Sequence, residues 1–194
     1  PGVGYFGLMD YGYTNGRGVI PAPPTPWTRI KAGWSNIDTI NTNESIKGIE
    51  AYDQSNTIYM IDISENEYFL IENRNNRVSA SEDLESLING DWFDFITDPS
   101  QEFVDTDDAT GVITAFDHYD YGLPGAGILI WHIKEPNEDL YSSGINNNRD
   151  NRHVQIEEAD GAIDIGFESY TFFASDAVNI GWRYDYWFKG NTYY

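Results

Sequence analysis

Apolar positions along the chain fall into short runs, most of them the length of a strand, divided by polar, glycine-rich or proline-rich stretches. Residues 1–25 hold Gly2, Gly4, Gly7, Gly12, Gly16 and Gly18, then Pro21, Pro23 and Pro24, and read as dense turns. A helix is predicted next, with Thr25 as N-cap, Pro26 at the first helical position, Trp27 to Ala32 as its body and Gly33 as its stop. Trp27, Ile30 and Trp34 recur at helical spacing and would form its buried face. Three strand candidates follow. Ser45 to Tyr52 alternates through Ile46 and Ile49, while Thr57 to Ile63 and Glu67 to Asn73 flank Ser64-Glu65-Asn66 as a hairpin.

Residues 79–89 read as a short helix, with Ser79 and Glu82 at capping-box spacing and Gly90 at its end. The stretch 91–125 is acidic and irregular, broken by Pro99 and Pro124. Gly127 to Ile133 (GILIWHI) is the strongest strand, apolar on both faces and therefore expected inside a sheet. A polar loop over 134–152 leads to His153–Glu158, an alternating strand, and the tail 167–194 is aromatic and β-like. No internal repeat is found. The expected fold is mainly β with a few short helices (α+β), loop-rich, either sandwich-like or a mixed sheet. It would be a single β-rich domain over 1–194, with residues 75–122 as an acidic insertion.

Composition sharpens this picture. The 194 residues are 40% hydrophobic and 22% charged, which suits a globular chain with a real core. Asp outnumbers Glu and Asn outnumbers Lys, favouring turns and caps over exposed helices, and the 15% aromatic content favours strands. A net charge of −21 argues against nucleic acid and anionic lipid as partners, since both require basic surface. With no cysteine, disulfides, Cys-ligated zinc and thiol nucleophiles are all excluded. No apolar run reaches the length of a membrane span. The composition reads as extracellular, and a first residue that is Pro and not Met suggests a processed or excised piece.

Few residues suggest catalysis. His118, His132 and His153 are not in an H-E-x-x-H helix, and no G-x-S-x-G elbow or phosphate-cradling glycine loop occurs. His132, within GILIWHI, reads as a hydrogen-bonded core histidine. Adjacent carboxylates such as Glu157 and Glu158 would point to opposite faces of a strand and make no dyad. Calcium is a better use of such oxygens, because it takes six to eight of them from irregular loops. One candidate set is Glu158, Asp160 and Asp164, joined by Asp176. The other is Asp105, Asp107 and Asp108, in a segment with Thr110 where an EF-hand needs Gly. For both, solvated acidic loops are the alternative. Asn43-Glu44-Ser45 is a glycosylation sequon that matters only in a glycosylating host.

Several segments occur in one order: Gly7-Leu8-Met9-Asp10-Tyr11-Gly12, PPTPWTRIKAGW (23–34), YFLIENR (68–74), LPGAGILIWHIKE (123–135) and VQIEEADG (154–161). The series resembles the C-terminal part of the catalytic region of immune inhibitor A-like secreted zinc metalloproteases. The resemblance implies a Met-turn role for Met9. It also implies that the zinc-binding helix lies upstream, so no zinc ligand or catalytic glutamate is carried onto this chain. Zinc would come only with that upstream sequence. The stretch between Arg74 and Leu123 is longer than the family pattern implies. Two readings follow. The chain is the cleft-supporting portion of a secreted protease-like protein, inactive alone, with the missing N-terminal half as its partner. The alternative is a non-enzymatic extracellular surface or filament module that associates with copies of itself through residues 1–20 and 182–194.

Overall fold

The structure is a computed structural model that describes residues 2–41, 43, 45–46, 48–76, 104–116, 119–135, 144–148, 150–171 and 174–191. Its centre is a five-stranded mixed sheet. The strands in chain order are β1 (Asn36–Thr39), β2 (Thr57–Ser64), β3 (Glu67–Arg74), β6 (Gly127–Lys134) and β7 (Val154–Ile156), and they lie side by side in that same order. β1 runs parallel to β2, and every other neighbour is antiparallel. Two further antiparallel pairs stand apart from it among the described residues: β4 (Val104–Thr106) with β5 (Ile113–Phe116), and β8 (Glu168–Thr171) with β9 (Ala174–Val178). The fold is mainly β with few helices, and its principal sheet is mixed.

The helix α1 spans Pro26–Lys31 and starts as the sequence predicts. Thr25 caps it by accepting a hydrogen bond from the Thr28 amide, and Pro26 takes the first position, where no amide hydrogen is needed. Gly33, at φ +72°, ends it. Trp27 is buried, but Trp34 is 63% exposed, contrary to expectation. The left-handed turn at Gly33 carries the chain off the helix before Trp34 can complete its apolar stripe.

β2 and β3 form the expected hairpin through Glu65 and Asn66, with Ser64 opposite Glu67. The described residues of 45–52, by contrast, do not form a strand. Gly48 turns the chain at φ +75°, and only a single bridge joins Ala51 to Asn73. The free edge of β2 is taken instead by β1, four exposed residues with no apolar alternation to announce them. Residues 40–56 make the crossover that a parallel pair requires. The predicted helix over 79–89 lies outside the described residues.

One face of the sheet carries the core. Leu70 from β3 and Leu129, Trp131 and Ile133 from β6 are fully buried there, with Ile58, Val154 and Ile156 from the flanking strands. Phe6 from the glycine-rich start and Tyr186 from the tail close this core edge-to-face, their ring centroids 5.3 Å apart. The tail then returns to the sheet. Ile128 and Trp187 exchange both backbone hydrogen bonds, at 3.0 and 2.9 Å. Among the described residues no helix is long and apolar enough to cross a membrane.

Beneath the sheet lies a neutral charge network. Arg29 from α1 pairs with Glu72 of β3. Arg74 donates to Glu72 at 3.1 Å and to both Asp120 oxygens through Nε, at 2.9 and 3.0 Å. The Trp131 indole donates to Glu72 at 3.1 Å, and the Asn75 amide donates to Asp120 at 3.1 Å. The Tyr52 ring lies under both guanidinium groups, 4.3 Å from that of Arg29 and 5.0 Å from that of Arg74. Burial by itself would lower the Arg74 pKa, but Asp120 and Glu72 outweigh it and raise it further. Two cations meet two anions, and their hydrogen-bonding capacity is turned inward on one another.

Candidate functional site

The loop after β7 brings acidic residues inward. Glu157 extends the ladder by donating its amide to Ile130, 2.9 Å away. Glu158, next in sequence, is buried, and residues 159–165 wrap around its carboxylate. The Asp164 amide donates to Oε2 at 2.9 Å and the Ile165 amide donates to Oε1 at 3.1 Å. Ile163, between them and the start of the loop, has φ +52°, an uncommon conformation for a β-branched residue. Asp160 accepts from the Ala162 amide at 2.9 Å and from the Trp182 indole at 3.1 Å.

A third carboxylate joins from the tail. The 3-10 turn Arg183–Asp185 places Asp185 beside this loop, where its backbone oxygen accepts from the Ala159 amide at 3.2 Å. One ligand oxygen from each of Glu158, Asp160 and Asp185 lies within 4.8 Å of the others. Asp185 is 0% exposed. Its Oδ2 accepts from the Trp182 amide at 2.7 Å, while its Oδ1 is buried with no hydrogen-bond partner.

The electrostatic consequence is strong. Burial, reinforced by the charge of Asp164, pushes the Glu158 pKa up to about 7 against the two amides that favour its ionised form. Burial and the charges of Glu158, Asp160 and Asp164 push Asp185 up to about 8, against the Trp182 amide. Among the described residues no Lys, Arg or His forms an ion pair with Glu158, Asp160 or Asp185.

The sequence-predicted residues are distributed unevenly around this centre. Glu158 and Asp160 belong to it. Asp164 stands at its edge, where its carboxylate accepts from the Asn179 side chain. Asp176 lies in β9, and its side chain is outside the described residues. Asp185, nine positions further on, has no signal in the sequence, because nothing in the aromatic run WRYDYWF marks one acid as inward-facing.

The second acidic cluster has a different use. Asp105 is an exposed residue of β4, and Asp108 is exposed in the following turn. Asp107 caps that turn: its Oδ1 accepts from the amides of Ala109 and Thr110 at 3.1 and 2.8 Å, and from the Thr110 hydroxyl at 2.7 Å. The Thr110 hydroxyl and amide lower the Asp107 pKa. Asp107 is thus engaged in forming its own turn, while Asp105 and Asp108 stand exposed on either side of it.

Met9 is 86% exposed in the turn after Gly7. His132 is hydrogen-bonded, but it lies on the half-exposed face of the sheet and not in the core. Its Nε2 is 2.7 Å from Glu67 and its Nδ1 is 2.9 Å from Glu157. The Nδ1 of His153 is 2.7 Å from the Lys134 carbonyl, and His118 lies outside the described residues. The two described histidines thus engage separate partners. In comparisons with known proteins, no family model, no curated protein and no solved structure matches this chain.

Proposed function

We propose that the chain is a non-catalytic, β-rich portion of a secreted metalloprotease-like protein, which packs against and supports another unit of that protein. The observation that carries this reading is the second face of the five-stranded sheet. In register across it stand Tyr59, Ile71 and Ile130, and beside them Ile61, Phe69 and His132. Each is only half-buried, and Ile63 at the rim is exposed. Partly exposed apolar side chains grouped on one sheet face, around the His132 pairs with Glu67 and Glu157, suit packing against a partner. The exposed Met9 suits the same reading, because a Met-turn residue gains its cover from the zinc-bearing unit. The order of the segments that resemble the immune inhibitor A-like proteases supports a zinc-bearing unit as that partner, and zinc and general base would both reside there.

The self-associating module is the rival, and its two segments are largely engaged within the chain. Val3, Phe6 and Ile20 are core residues, and Tyr186 and Trp187 return to the sheet. The test compares this chain with a longer product of its own reading frame that includes any upstream H-E-x-x-H. The expected result is no casein cleavage by this chain and chelator-sensitive cleavage by the longer one, with residues of the open face gaining hydrogen-exchange protection. Chelator-sensitive cleavage by this chain alone, or a frame with no upstream zinc motif, overturns the proposal.

A further inference from the structure

We infer that Glu158, Asp160 and Asp185 form a calcium site that fastens the C-terminal turn to the loop after β7. The argument begins with an imbalance. Three carboxylates converge in a largely buried place, and among the described residues no side-chain cation pairs with them. Isolated buried anions are costly, so such groups hold their protons until a cation pairs with them or a metal is coordinated. The same chain shows what full compensation looks like, because the Arg29–Glu72–Arg74–Asp120 network neutralises its buried acids completely.

Asp185 provides an independent observation. Its side chain is wholly buried, and Oδ1 accepts from nothing although it faces no solvent. Buried polar atoms without a partner are few in native proteins, and an ion is one of the partners that satisfies them. The amides that hold Glu158 and Asp160 orient these carboxylates and leave a lone pair on each oxygen for a ligand.

The donor chemistry selects the ion. All the side-chain donors are carboxylate oxygens, which suit a hard cation rather than zinc or copper. Oxygens within 4.8 Å of one another can share a cation at the 2.3–2.6 Å typical of calcium. Calcium also tolerates irregular geometry and completes its shell with carbonyls and water, whereas magnesium requires near-octahedral ligands at shorter distances. Binding would join residues 158–160 to 185, and through Trp182 it would hold the tail that closes the core with Tyr186.

The full chain, stripped of metal, tests this by calorimetric titration with calcium chloride and by thermal melting. The expected result is one calcium per chain and a melting temperature several degrees higher at a hundredfold excess over the dissociation constant. Terbium should also show emission sensitised by Trp182, whose indole donates to Asp160. Asp185→Asn should abolish the calcium-dependent shift while the metal-free variant melts no lower than the metal-free parent, which shows that it folds. Asp107→Asn should retain the full shift. Identical melting in chelator and in excess calcium overturns the site. So does a full calcium response in Asp185→Asn. An equal response to magnesium overturns the choice of ion.

Discussion

Two regions of this protein bury acidic side chains, and they treat them in opposite ways. Under β3, Glu72 and Asp120 are matched by Arg29 and Arg74, and Trp131 and a backbone amide take up further lone pairs. After β7, Glu158, Asp160 and Asp185 converge with amide and indole donors but no ion-paired cation among the described residues. The first region is electrically complete within the chain. The second, among the described residues, shows no such neutralisation by side-chain cations. Buried acidity alone therefore says little about ligands, and the informative quantity is how much of it the fold itself neutralises.

The most damaging way to break this contrast is to remove a cation from the complete region. Arg74→Ala leaves the buried Asp120 without its ion partner and Glu72 with Arg29 alone, and a loss of about 3–5 kcal/mol is expected. Urea unfolding gives the value, and a loss below 1 kcal/mol would show that water or a rearranged Arg29 replaces Arg74.

The second test is pH. Glu158 and Asp185 titrate near 7 and 8 when folded, against ordinary values of 4.5 and 3.8. Between these limits the folded chain keeps protons that the unfolded chain has released. Stability without calcium therefore falls as pH rises from about 5 to 8, by up to about 1.4 kcal/mol per pH unit for each group. The general repulsion of a −21 chain acts in the same direction. Comparison with Asp185→Asn separates the two, because the variant should have a shallower slope. Equal slopes would place the pH dependence outside the cluster.

The third test compares signs. At pH 8 without calcium, Asp185→Asn removes a poorly compensated buried charge and should stabilise the chain by about 1–3 kcal/mol. A substitution in one acidic region thus stabilises, while Arg74→Ala in the other destabilises. A destabilising Asp185→Asn would show that Oδ1 is better satisfied in solution than in the structure.

The smallest effect is expected at Asp107. Its carboxylate closes an exposed hairpin turn, so Asp107→Ala should lower the melting temperature slightly and leave any calcium response intact. Loss of calcium response in that variant would return the β4–β5 turn to consideration as a site.

Much of the local structure was readable along the chain. The Thr25-Pro26 start of α1, its end at Gly33, the β2–β3 hairpin and the GILIWHI strand depend on caps, turns and periodicity within a few residues. The failures are equally instructive. β1 is a strand because the edge of β2 accepts it, and its own pattern, Asn-Ile-Asp-Thr, carries no alternating core face. Residues 45–52 have the apolar content of a strand, but Gly48 turns them away and β1 takes the available edge.

The same division holds for the candidate site. Composition alone limits the chemistry to oxygen donors and histidine, since there is no cysteine, and the EEADG segment alone points to Glu158 and Asp160. Their third companion was decided by tertiary structure. Asp185 and not Asp164 completes the trio because the tail folds back, Trp187 pairs with Ile128, and the Arg183–Asp185 turn is thereby set against the loop after β7. Local propensity is settled by interactions among near neighbours in sequence. Burial and charge compensation depend on which distant segments pack together, and no spacing rule relates position 158 to position 185.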